Sequence, residues 1–97
     1  MLTNNQKKYL KSLAHSKKPV VIIGHNGLTA TVLEEIDKAL LHHELIKIRV
    51  NAEEREQRAA MIQQIVTETA AELIQRIGHI ATFFRHNPDS PKIQLPH

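Results

Sequence analysis

Pro19-Val20-Val21-Ile22-Ile23-Gly24-His25-Asn26-Gly27-Leu28-Thr29 is the stretch on which the rest of the chain is organised. Four consecutive β-branched residues favour extended backbone. An unbroken apolar run of that length is the pattern of a strand buried on both faces. Gly24 and Gly27 end it. Beyond them Val32, Leu33, Ile36, Ala39 and Leu40 recur at helical spacing, which predicts a helix over about residues 30–43. Thr29 stands at its N-cap position, and Thr31 with Glu34 forms a competing capping box. Strand, glycine loop and helix in that order are the opening of a crossover to a parallel neighbour.

Leu45-Ile46-Lys47-Ile48-Arg49-Val50 supplies that neighbour, with Ile46, Ile48 and Val50 on one face and Lys47 and Arg49 on the other. A third helix is predicted from about Glu53 to Ala71, with Asn51 as its cap, acids in its first turn, and a stripe of Ala59, Ile62, Ile65, Val66, Thr69 and Ala70. Leu73–Ile77 and Ile80–Arg85 read as a hairpin around Gly78-His79. Upstream, Thr3 and Gln6 form a capping box that opens a first helix, with Tyr9, Leu10, Leu13 and Ala14 as its apolar stripe and Lys7, Lys11 and His15 on another face. Pro19 stops it. The order is αβαβαββ. The expected fold is a single α/β domain, a four-stranded mixed sheet with three helices, over residues 1–87. Residues 88–97, with prolines at 88, 91 and 96, read as an irregular tail, mobile at its end.

Composition narrows the function. The chain has 97 residues, 41% hydrophobic, 24% charged and only 3% aromatic, so one aliphatic core is expected. With no cysteine there is no disulfide framework and no thiolate metal site. No apolar run approaches the roughly 18 residues of a membrane span, and the N-terminus lacks the apolar core of a secretory signal, so a cytoplasmic protein is expected. His42-His43-Glu44 is the densest histidine cluster, but adjacent helical residues diverge, and no metal or other cofactor is expected. Catalysis has little to stand on: there is no cysteine nucleophile and no G-x-S-x-G elbow.

The net charge of +3 is unevenly spread. Residues 1–27 hold five lysines (7, 8, 11, 17 and 18) and no acid, whereas residues 28–75 hold five basic and nine acidic residues. Such polarity presents a basic region to a polyanion. Gly24-His25-Asn26-Gly27 is the second candidate, because glycines let a phosphate backbone approach closely and a helix start favours anions. Alone, a G-x-x-G is more often an ordinary tight turn. Together with Lys7, Lys11, Lys17 and Lys18 it points to a phosphate-backbone ligand, with Lys47 and Arg49 extending the surface.

Several motifs occur in order: Leu2-Thr3-x-x-Gln6, Leu10-Lys11-x-Leu13-Ala14-His15, Lys18-Pro19-Val20-Val21, Gly24-x-Asn26-Gly27-Leu28-Thr29 and His43-Glu44-Leu45-Ile46-Lys47. Together they resemble the CRM domain, named for chloroplast RNA splicing and ribosome maturation, in its stand-alone bacterial YhbY form. The resemblance implies a fold similar to the C-terminal domain of translation initiation factor three. It also implies RNA contact through the glycine loop, in the chemical manner of KH domains, and association with precursors of the large ribosomal subunit. His25 stands where the family often carries lysine or arginine, and Phe83-Phe84-Arg85 where it carries Leu-Tyr-Arg. The expected protein is a monomeric binder of ribosomal RNA, without membrane or small-molecule substrate. Its contacts are Gly24, His25, Asn26, Gly27, Lys7, Lys11, Lys17, Lys18, Lys47, Arg49 and Arg85. The alternative is a protein-interaction adaptor of the ribosome assembly machinery that uses the acidic helix faces.

Overall fold

The structure, a computed structural model, describes residues 2–97. Its elements are α1 (Asn4–Ala14), β1 (Val21–Ile23), α2 (Ala30–His43), β2 (Leu45–Val50), α3 (Arg55–Thr69), β3 (Glu72–Ile77) and β4 (Ile80–Phe84), in the expected αβαβαββ order. Local chemistry explains the boundaries. Thr3 Oγ1 accepts the Gln6 N–H at 3.1 Å and Gln6 Oε1 accepts the Thr3 N–H at 2.9 Å, closing the capping box of α1. Thr29, not Thr31, caps α2, accepting the Val32 N–H at 3.2 Å. Asn51 does not cap α3. Its N–H donates to Ile23 O and its Oδ1 accepts from Arg49 Nε, which keeps it with the sheet, so α3 begins two residues later than expected and has no side-chain cap.

The sheet order is β1-β2-β4-β3. β1 and β2 pair in parallel, and β4 runs antiparallel to both β2 and β3, so the hairpin's second strand inserts between β2 and β3. α2 and α3 cover one face, over a core containing Ile23, Ile36, Leu40, Ile48, Ile65 and Phe83. α1 covers only one end of the other face, where Leu10 and Ala14 meet Leu45, Ile74 and Phe84. Full burial of each large aliphatic side chain is worth roughly 1.5–3 kcal/mol.

β1 corrects the expectation of a two-sided buried strand. Val21 and Ile23 are buried, but Val20 is 51% and Ile22 61% exposed. β1 is an edge strand, and α1 packs chiefly over β2, β3 and β4. Of the four β-branched residues only Val21 and Ile23 therefore serve a core.

The last residues carry no helix or strand, yet they are held. Ile93 and Leu95 pack against the α1 core. Glu44, fully buried just after α2, accepts the N–H groups of Asn87 (2.6 Å), Lys92 (2.7 Å) and Ile93 (2.7 Å), and its Oε2 lies 3.1 Å from His86 Nδ1.

Candidate functional site

The half-covered sheet face is where the predicted residues gather. Strand register lays it out in two rows beyond the end that α1 covers. The first row runs Gln75, Thr82, Lys47, and continues to Val20, whose N–H donates to Lys47 O. The second runs Ile77, Ile80, Arg49, Ile22. A register shift between Leu73 and Gln75 shapes the first row. It lets Ile74 enter the α1 core while its neighbour Gln75 reaches the open row of the same face, which is the kind of re-aiming a β-bulge provides.

α1 borders this face with Lys11 and His15, one turn apart, and these two with Lys47 and Gln75 rim a cleft of ≈220 Å³ whose remaining lining is Ile77, Ile80 and Thr82. Lys7 stands one turn back along the same helix side. Lys47 Nζ donates to Lys17 O at 3.1 Å, tying the connection after α1 to the middle of β2. Lys18 is exposed in that connection, whereas the Lys17 side chain lies on the other flank of α1, in a cleft with Tyr9, His42, His43 and Lys92. No Asp or Glu stands in either open row or in residues 1–27. The exposed acids Glu34, Asp37 and Glu68 line the opposite side, between α2 and α3.

The glycine loop lies at the end of β1, beside the Arg49–Ile22 row. The Gly27 N–H donates to Gly24 O at 3.1 Å, closing a four-residue turn, and Thr29 N–H then donates to Gly27 O. Neither His25 nor Asn26 has a positive φ, so this is a type I turn followed by a left-handed Gly27 at φ 68°. Among the described residues the His25 and Asn26 N–H groups have no protein acceptor, and both side chains are exposed. Leu28 and Thr29 separate the turn from α2, so the turn itself, not the helix start, offers the donors.

The two glycines differ. Gly27 needs its left-handed backbone, which costs an L-residue about 1–2 kcal/mol. Gly24 has an ordinary φ and nothing within 4 Å of where a Cβ would stand, so the fold does not require it; its bareness leaves room for a ligand. Gly27→Ala is expected to lower Tm by about 5–15 °C, and Gly24→Ala to leave it unchanged. Equal shifts in thermal unfolding would contradict this division.

Arg85, expected among the contacts, is not brought to them. It sits beyond the far end of β4, donating to Asp37 Oδ1 (2.7 Å) and Thr69 O (2.9 Å), and so joins α2 to the C-terminus of α3. His15, Gln75, Thr82, Ile77 and Ile80 are the residues of the face that sequence reasoning passed over as site residues. Only the i, i+4 relation of Lys11 to His15 signals any of them in the sequence.

A model of the CRS1/YhbY (CRM) domain matches residues 2–85. A Haemophilus influenzae protein named RNA-binding protein is 50% identical over 95 residues, covering 98% of this chain and 95% of its own. A Pseudomonas aeruginosa protein named as a probable RNA-binding protein is 43% identical over 91 residues, covering 94% and 88%. The solution structure of a hypothetical Staphylococcus aureus protein, described as a candidate RNA-binding protein, superposes with a TM-score of 0.83 at 34% identity, over 99% of this chain and 100% of that one.

Proposed function

Since the chain belongs to the CRS1/YhbY (CRM) domain family, we propose that it is a monomeric, cytoplasmic RNA-binding protein that grips ribosomal RNA during assembly of the large subunit. The observation that carries this reading is the acid-free face. The side of α1 bearing Lys7 and Lys11, the row residues Lys47 and Arg49, and the Gly24–Gly27 turn are continuous along one side of the molecule, while α2 and α3 hold the acids on the other. The names of the relatives support RNA as the partner. The ribosomal assignment rests on the family resemblance of the Gly24–Thr29 and His43–Lys47 motifs.

In this reading the turn is a phosphate seat. Gly24 leaves space, the N–H groups of His25 and Asn26 donate, and their side chains add further donors. The lysines and Arg49 neutralise neighbouring phosphates, fixing orientation without reading sequence. The role is binding, not catalysis. Four to six neutralised phosphates give a slope of log K against log salt of roughly −3 to −4, at about −0.7 per contact on single strands. Titration of a structured RNA across a range of salt concentrations measures it. A slope near zero would overturn backbone recognition and favour the acidic α2 and α3 faces as a protein-docking surface.

A further inference from the structure

The turn and the lysines account for phosphates, but they leave the apolar part of the open face unexplained. Ile77 is 67%, Ile22 61% and Val20 51% exposed, all on one side of one sheet. Val20 and Ile22 lie at β1, across Lys47 and Arg49 from the rest, whereas Ile77 adjoins Ile80, and an apolar patch rimmed by polar groups marks something that covers it.

We propose that this face, beside α1, seats an unpaired nucleobase, so that the RNA partner is a single-stranded or bulged segment and not continuous duplex. The inference rests on the RNA reading and deepens it. The floor of the seat is Ile77 and Ile80, flat and apolar enough for the face of a base, in a domain that has no tryptophan to stack on. The polar groups are placed for a base edge. Gln75 brings an amide, which both donates and accepts, and Thr82, only 3% exposed, brings a hydroxyl. Neither side chain makes a hydrogen bond to another described residue; the half-buried Gln75 amide is open to a ligand, and the buried Thr82 lines the cleft beside it.

Charge selects the occupant. Lys11, Lys47 and Arg49 surround the seat without an acid, which suits the phosphates flanking a base. A second copy of the chain would bring those cations against one another, and a basic partner would meet them directly. A base inside duplex RNA has its faces stacked and cannot lie on isoleucine, whereas an unpaired one can be splayed out onto the protein.

The test compares a blunt two-stranded RNA duplex with the same duplex interrupted by a run of unpaired uridines. The protein is expected to bind the interrupted duplex roughly tenfold more tightly, the size of a single base contact. Gln75→Ala with Ile77→Ser erases that preference and leaves affinity for the paired duplex unchanged. Gln75→Leu, which keeps the size of the side chain and adds no charge, does the same, so the test does not depend on one variant remaining folded. His25→Asp with Asn26→Asp weakens both RNAs alike, which separates the seat from the phosphate turn. Equal affinity of the unaltered protein for both duplexes, or an equal loss on both in the Gln75 variants, overturns the nucleobase seat while leaving the RNA reading intact. Failure to bind either RNA overturns the RNA reading and this one with it. A concentration-dependent dimer that the Ile77 change abolishes, with RNA affinity unmoved, assigns the face to a second copy and overturns the proposal.

Discussion

Changing His25 and Asn26 together to aspartate lowers RNA affinity by about 2–4 kcal/mol, roughly 30- to 1,000-fold, in a titration at about 150 mM salt. Thermal unfolding of the variant stays close to that of the unaltered protein, because both side chains are exposed and neither residue has a positive φ. The large effect follows from the geometry of the turn. Its unpaired N–H groups lie beside the two substituted side chains, so a phosphate held there would sit within a few ångströms of two new carboxylates. Those carboxylates would also take up the donors meant for it. If the turn were only a connection between β1 and α2, the new charges would act on RNA at long range, where salt screens beyond about 8 Å. A loss below about threefold, in a protein shown to be folded, would remove the turn from the site and leave the α1 and β2 cations as the contact surface.

What was legible in the sequence was what is decided locally. The Thr3–Gln6 box and the alternation from Ile46 to Val50 depend on neighbours within a turn or a pleat, and both appear where expected. What was hidden depends on partners far along the chain. The run Val20–Ile23 cannot report that it forms an edge strand with one bare face, since that follows from β2 pairing with β1 on one side and β4 on the other, and from α1 packing chiefly over β2, β3 and β4. Arg85 looks like a free cation in a basic tail until Asp37, 48 residues away, is placed beside it. Gln75, Thr82 and Lys47 share a row only through two antiparallel registers and a bulge. The candidate face was therefore half visible. Its charges show in the composition of residues 1–27, but its apolar floor and polar edge require the strand order.

Glu44→Ala is expected to cost about 3–5 kcal/mol of stability, lowering Tm by about 15–25 °C. In the sequence Glu44 is the last member of a polar His-His-Glu cluster at a helix end. In the fold it is fully buried, at φ 62°, and binds three backbone N–H groups from residues 87–93. Its removal strands those donors beneath the tail and frees Ile93 and Leu95 from the α1 core. Burial raises the carboxyl's pKa, but the N–H groups of Asn87, Lys92 and Ile93, with His86, more than offset this and hold it below its ordinary value. A carboxyl depressed on folding stabilises the protein at every pH above its unfolded value, about 4.3, and that contribution is lost as pH falls through the folded value. The unaltered protein thus loses stability below about pH 4.3 through this group, and Glu44→Ala lacks that component of the loss. Glu44→Gly, free of the strained φ, is less damaging than Glu44→Ala by about 1 kcal/mol. The decisive comparison removes residues 91–97. In the shortened chain Glu44 has lost the Lys92 and Ile93 N–H groups, so Glu44→Ala adds much less than it does in the full chain. If the full cost persists there, the carboxylate acts through α2 alone, and the clamp on the tail is not what makes Glu44 matter.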